Sequence, residues 1–448
     1  MKHVPAAEIE SVKRFMRRIP LNRLRWHTRI ALWLGAAGAG LVVVGFAKLA
    51  EYSLDFFFLL IDGRPWLPLL LMPAVGMLAV WLTDRYFAGS EGSGIPQVIA
   101  ATRMATLHYP VTALVSLRIA FGKILVGALT LAAGFTAGRE GPSVQVAASL
   151  MHAVHRLLPH ARAVRPQDLI LAGGAAGVAA AFNTPLAGIV FAVEELGRRL
   201  ETRTSGVLIS TIILSGLVSI ALLGNYQYFG HMQMMPMNRS IVVPVVIGGV
   251  LCGIAGGYFS RLMLWPQKAA HIKLWFWRAR YPVRFAGACG LTLALIGLAS
   301  GGLSYGSGYN VAQMLVSGSH ELPWYTAIAR FASTLVSYYS GIPGGIFAPS
   351  LAVGATLGGE LAQLLGESVG NVPVIALCMA GFLAAVTQSP ITATVIVMEM
   401  IDGHEMVISL MAISLIARGV STRISPELYQ TLAHGWQHKE QRRLDPTP

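Results

Sequence analysis

Acids placed where charge is expensive are the first residues to weigh for chemistry. Glu140 stands in Gly138-Arg-Glu-Gly-Pro-Ser143, framed by glycines and a proline, in a chain that is 54% hydrophobic and 12% charged. A carboxylate at a helix start in such a setting is costly unless it has a task. Low dielectric favours its neutral form, so proton uptake is the task within reach. The plainer reading is an ion pair with the adjacent Arg139. Glu194 and Glu195, in Phe-Ala-Val-Glu-Glu-Leu, raise the same question. They lie about 100° apart on a helix and cannot face one path. Lys123, inside an otherwise apolar span, is expected to pair with a buried acid.

A second kind of chemistry needs no charged side chain. Gly and Pro cluster at Gly92–Pro96, Gly138–Pro142, Asn183–Pro185, Gly341–Pro349 and Ser389–Pro390. Proline suits the first turn of a helix, and glycine lets the backbone come close to a ligand. Several broken helices could aim their free N–H groups and positive dipole ends at one point, forming an anion site. A fixed Lys or Arg there could hold an anion too tightly for release. Taken singly, each cluster is an ordinary turn; recurrence at one offset favours the site.

The elements that must position these residues are membrane helices. A soluble domain carries roughly 25% charged residues, about twice this chain's share, and the mean hydropathy is +0.59. Ile30–Ala47, Trp66–Leu82, Ile241–Phe259, Phe285–Ala299 and Met406–Ala417 are apolar runs. The longer ones approach the ~20 residues of a membrane-crossing helix, and the shorter ones suggest tilted or broken helices. The net charge of +13 is clustered: Met1–Arg29 holds eight Lys or Arg, Arg261–Arg284 six, and Gly301–Trp324 none. That asymmetry places the first two segments in the cytoplasm and the third outside, and argues against a nucleic-acid binder. Cys252, Cys289 and Cys378 lie in apolar stretches and read as packing residues.

The chain also repeats itself. Gly138-Arg-Glu-Gly-Pro-Ser143 and Gly345-Ile-Phe-Ala-Pro-Ser350 place Pro142 and Pro349 207 positions apart. Pro185 and Pro390 lie 205 apart, and each opens an apolar run reaching a glutamate nine residues on, Glu194 or Glu399. The expected organisation is a basic segment 1–29, a first membrane repeat 30–224, a linker 225–240, a second repeat 241–435 and a short tail 436–448. The fold class is all-α: a polytopic membrane protein of two inverted repeats with tilted and broken helices, its binding site near the midplane. The counterpart Glu399 gives Glu194 a structural role.

Gly92-Ser-Gly-Ile-Pro96, Gly138-Arg-Glu-Gly-Pro142 and Gly345-Ile-Phe-Ala-Pro349 resemble, in order, the three signature motifs of the CLC chloride channel and transporter family. The likeness runs from about Ile30 to Gly435. It implies a homodimer with one ion pathway per subunit, in the cell inner membrane with both termini cytoplasmic. It implies chloride held by the Ser93 hydroxyl, the Ile346 and Phe347 backbone N–H groups and the Tyr429 hydroxyl, a neutral donor set suited to a weakly hydrated anion. By the same likeness Glu140 is the gate, displaced once protonated, and Glu195 passes protons to the cytoplasmic side. Serine at position 93 favours chloride over nitrate or fluoride; Gln97 departs from a common glutamate. The implied function is chloride/proton antiport. The alternative is a passive chloride channel of the same fold, against which Glu195 speaks. No cofactor or metal is implied, and no nucleotide is expected, since the 19 residues after Tyr429 are too few for the paired cytoplasmic nucleotide-binding modules of some family members.

An enzyme is the reading from another class. Gly302-Leu-Ser-Tyr-Gly306 matches a serine-hydrolase pattern but lacks a strand–turn–helix setting. His404-Glu405 opens a zinc-protease motif that fails because position 408 is Ile. Gly249, Gly253 and Gly257 are spaced for close helix approach, within a subunit or between two.

Overall fold

Backbone polar groups in hydrocarbon must be satisfied within the protein, and helices do so segment by segment. The computed structural model describes residues 26–156, 164–197, 205–224, 241–269, 271–318, 322–366 and 371–445. Among them the regular structure is helical, apart from two isolated backbone bridges. The basic N-terminal residues before 26, Arg198-Arg199 and the linker 225–240 lie outside the described residues.

The first half runs α1 (Trp26–Ile61), α2 (Pro68–Tyr86), α3 (Ile95–Thr106), α4 (Leu117–Leu131), α5 (Glu140–Arg156), α6 (Pro166–Phe182), α7 (Pro185–Phe191) and α8 (Ser205–Leu223). The second runs α9 (Val242–Lys268), α10 (Lys273–Arg280), α11 (Pro282–Ala299), α12 (Tyr309–Val316), α13 (Tyr325–Tyr339), α14 (Phe347–Leu365), α15 (Asn371–Thr387), α16 (Pro390–Ile401) and α17 (Val407–Ser421). Helix α18 (Leu428–Leu444) closes the chain. Apart from α10, the second half repeats the first element by element. Among the described residues five helices, corresponding to the five apolar runs, are long and apolar enough to cross a membrane. Helices α3 and α16 have 12 residues each. At 1.5 Å per residue that is about 18 Å, well short of a ~30 Å hydrocarbon core, so these helices end within it.

Inverted repeats require a two-fold axis, and reciprocal contacts mark it. Gly138 N–H donates to the Gly345 carbonyl at 2.8 Å and Gly345 N–H returns to Gly138 at 2.7 Å. The two residues are repeat mates. Glu194 accepts from Ile391 and Thr392 N–H at 3.2 and 2.6 Å, while Glu399 accepts from Leu186 and Ala187 N–H at 3.3 and 2.7 Å. Each half thus caps the opening turn of the other half's α7 or α16 with a carboxylate, which the N-terminal dipole favours. Helices α2 and α11 pack on the same axis, where a Cβ on Gly290 would sit 2.5 Å from the Met72 carbonyl.

Small residues bring the helices of each half together. A Cβ on Gly177 would meet the Ser143 carbonyl of α5 at 2.6 Å, and one on Gly354 the Cys378 carbonyl of α15 at 2.6 Å. Gly249, Gly253 and Gly257 face Ile416, Ala417 and Ile424 of the same chain, so that glycine ridge serves packing within the subunit. The three cysteines are free and buried, as expected.

Candidate functional site

Three loops that precede helices are laced to one another through their backbones. Gly92 N–H donates to the Ile342 carbonyl at 3.1 Å and Gly344 N–H to the Gly92 carbonyl at 3.0 Å; the Gly138–Gly345 pair joins the third loop. The first turns of α3, α5 and α14 therefore converge, each with N–H groups that no helical carbonyl can satisfy. Glycine is needed for the approach. Gly94 caps α3 with φ +98°, and a Cβ there would press on Gln145 and on the Gly141 carbonyl. A Cβ on Gly141 would collide with the Ser93 hydroxyl.

Ser93, Ile346, Phe347 and Tyr429 all reach this point and all are buried. The Phe347 ring stacks on Tyr429 at 6.1 Å and 12°, with Phe191 edge-on at 6.0 Å. That packing draws the first turn of α18 onto the loops and fixes the tyrosine. The Ser93 and Tyr429 hydroxyls approach one another, yet neither buried oxygen has a well-formed hydrogen bond among the described residues. Buried polar groups are nearly always satisfied, so this convergence of donors is suited to a small anion.

Among the described residues Lys123 pairs with no acid, contrary to expectation. Its ammonium donates to the Ser90 and Gly92 carbonyls, both at 2.6 Å, and so fixes the loop that carries Ser93. Its repeat mate 207 positions on, Arg330, does the same for the loop before α12, donating to the Gly306 and Tyr305 carbonyls at 3.0 and 3.1 Å. These loops contain the same tripeptide, Gly92-Ser-Gly94 and Gly306-Ser-Gly308. Here the offset is 214, so a search at 207 passes over the match. The hydrolase-like pattern is part of this counterpart loop. Its Ser304 hydroxyl takes a hydrogen bond from Ser300 and has no catalytic base in that contact.

Two cavities flank the laced loops. One, of about 360 Å³, is lined by Lys48, Glu51, Asp55, Arg139, Glu140 and Ser307. The other, of about 180 Å³, reaches Ser93, Gln97, Tyr338, Ile346 and Tyr429. A void of about 10 Å³ beside Thr136, Thr334 and Ser337 lies between them, about the least that holds one water. Arg139 is drawn towards α1, donating to the Ala47 carbonyl at 2.5 Å and to Glu51 at 2.9 Å. The Glu140 carboxylate instead folds over Gly138, where an added Cβ would strike it.

Glu195 sits on a π-helical segment, Ala192–Gly197, that continues α7. Such segments widen the helix and recur at functional sites. It is not the bare acid its sequence context suggests. The Ser389 hydroxyl donates to its carboxylate. The Gln430 amide donates to its backbone carbonyl at 2.9 Å and its carboxylate at 3.4 Å. Arg103 in turn holds the Gln430 amide oxygen. Tyr429 lies within electrostatic reach of both Glu195 and Glu140. Gln430 and Glu51 carry no motif in the sequence, and Ser389 shows there only as part of the Ser389–Pro390 break; all three stand far along the chain from the acid or cation they hold.

The sequence model of the family described as voltage gated chloride channel matches residues 75–422. The structure is similar to that of a slow cyanobacterial Cl⁻/H⁺ antiporter, with TM-score 0.78 and 24% identity, covering 94% of this chain and 100% of that one. A CLC-type fluoride/proton antiporter matches with TM-score 0.74 and 22% identity over 91% of this chain and 99% of that one. A eukaryotic CLC transporter matches with TM-score 0.71 and 20% identity over 90% of this chain and 74% of its own. At these identities the likeness is one of fold.

Proposed function

This chain belongs to the voltage gated chloride channel family, and on that premise we propose that it exchanges chloride for protons across the cell inner membrane. The observation that carries the reading is the placing of one acid on each side of a neutral donor cluster: Glu140 against the larger cavity, Glu195 buried beyond Tyr429. Ser93, Tyr429 and the N–H groups of Ile346 and Phe347 bind the anion. Ser93 favours chloride, although one similar structure is that of a fluoride/proton antiporter. Glu140 closes the pathway as an anion-mimicking carboxylate, swings away when protonated and trades protons with the outside. Glu195 trades protons with the cytoplasm. The basic stretch Arg261–Arg284 puts the Ser93-side cavity inward by the positive-inside rule, with both termini cytoplasmic.

The protein works as a homodimer with a pathway in each subunit. The test is paired recording from proteoliposomes with a pH electrode and a chloride electrode. An outward chloride gradient drives protons uphill into the vesicles if exchange is right. Chloride flux with no proton movement would replace exchange by a passive channel.

A further inference from the structure

A serine just ahead of a helix usually caps it, taking a hydrogen bond from the second or third N–H of the first turn. Ser389 precedes α16 in that way, yet its side chain makes no capping bond. The Glu194 carboxylate already holds those two N–H groups, at Ile391 and Thr392. So released, the buried Ser389 hydroxyl turns to Glu195 and donates to Oε2. Its repeat mate 205 positions back, Thr184, is relieved of capping α7 by Glu399 in the same manner. There the counterpart of Glu195 is Met400, and the buried Thr184 hydroxyl has no hydrogen bond among the described residues.

The two carboxylate oxygens of Glu195 meet different chemistry. Arg103 donates to the Gln430 amide oxygen, and a guanidinium can only donate, so the Gln430 NH2 must face Glu195. It donates to the backbone carbonyl at 2.9 Å and to Oε1 at 3.4 Å. An amide NH2 cannot accept, so a proton on Oε1 would find no acceptor in it. A hydroxyl both donates and accepts. Oε2 is therefore the oxygen that can take a proton and keep its hydrogen bond, Ser389 changing from donor to acceptor. We propose that Ser389 is a proton-relay residue, the hydroxyl through which Glu195 gains and loses its proton. Gln430 and Arg103 are positioning residues for the other oxygen. This rests on the reading of Glu195 as the inner proton carrier. In the outgoing step the O–H bond at Oε2 breaks as one forms at Ser389 Oγ, and Oγ gives its own hydrogen to water; the incoming step is the reverse.

Paired pH and chloride electrodes on proteoliposomes test it. Ser389→Ala should lower proton movement per chloride about tenfold or more, the scale of one charge-assisted hydrogen bond, while chloride flux and chloride affinity persist. Ser389→Thr keeps the hydroxyl and should retain most of the proton movement. Thr184→Ala makes the same deletion at the mate position, where no acid is served, and should leave the stoichiometry at its wild-type value. Wild-type stoichiometry in Ser389→Ala overturns the proposal. An equal loss in Ser389→Thr or in Thr184→Ala also overturns it, since Ser389 would then act through shape or helix capping. Full coupling in Glu195→Gln would instead defeat the parent reading of Glu195, and the relay with it.

Discussion

A carboxylate serves as plug and proton carrier only if its two protonation states prefer different places. On the proposed reading Glu140 meets that condition: ionised, it would lie at converging helix N-termini that favour negative charge, and neutral, it would turn to the cavity it lines with Glu51 and Arg139. Glu140→Gln fixes the neutral form, so chloride should continue to pass while uphill proton movement disappears. Paired electrode traces check this, and sustained proton pumping by the variant would sink the gating role. Ser93→Ala and Tyr429→Phe each remove one donor to a charged ligand, about 1.5–3 kcal/mol. Calorimetric titration should show chloride affinity falling about tenfold or more. Much at this scale was legible in the sequence. Glu140, Ser93 and Glu195 stand out because an acid or a glycine-flanked serine in an apolar chain has few ordinary uses. The partner of Lys123 was not legible, because its Nζ pairs with backbone carbonyls, and every residue type offers one of those.

At the scale of elements, the site depends on how closely helix starts can meet. The backbone lacing of three loops leaves no room for side chains at Gly138 and Gly141. Gly138→Ala should push the Glu140 carboxylate out of its place without changing its charge, so chloride flux should rise and coupling weaken. Gly141→Ala presses on Ser93, so it should lower chloride affinity while proton coupling per chloride is kept. Calorimetry and flux on the same preparations separate the two, and matching phenotypes would show that the loops yield rather than the side chains. The proline-headed helices were legible because Gly-Pro clusters recur at one offset. The third pair of loops was hidden because the first half has seven more residues between its loop and Lys123 than the second half has between its loop and Arg330. The π-helical turn carrying Glu195 was equally unforeseen, because no local residue type announces it and the groups that hold Glu195, Ser389 and Gln430, stand far along the chain.

Across the whole molecule, symmetry builds the frame and departures from it do the chemistry. Gly138 pairs with its mate Gly345, and Glu194 and Glu399 cap each other's halves. By the same offsets Glu140 corresponds to Phe347 and Glu195 to Met400, both apolar and buried. On the proposed reading, the acids with a mate are structural and those without one carry protons. Two neighbouring glutamates turn this into a sharp contrast. Glu194→Gln removes a charged cap from the start of α16 and should cost about 1.5–3 kcal/mol, read as a lower melting temperature in detergent. The variant that survives should still exchange at full stoichiometry. Glu195→Gln keeps an amide able to meet Ser389 and Gln430, so its thermal stability should stay near wild type. It can no longer carry a proton, and chloride-driven proton movement should vanish while chloride flux and binding persist. Melting curves and paired electrode traces on the two variants settle the matter together. If Glu194→Gln loses coupling and Glu195→Gln keeps it, the proton takes the symmetric acid and the division of labour between the glutamates is reversed.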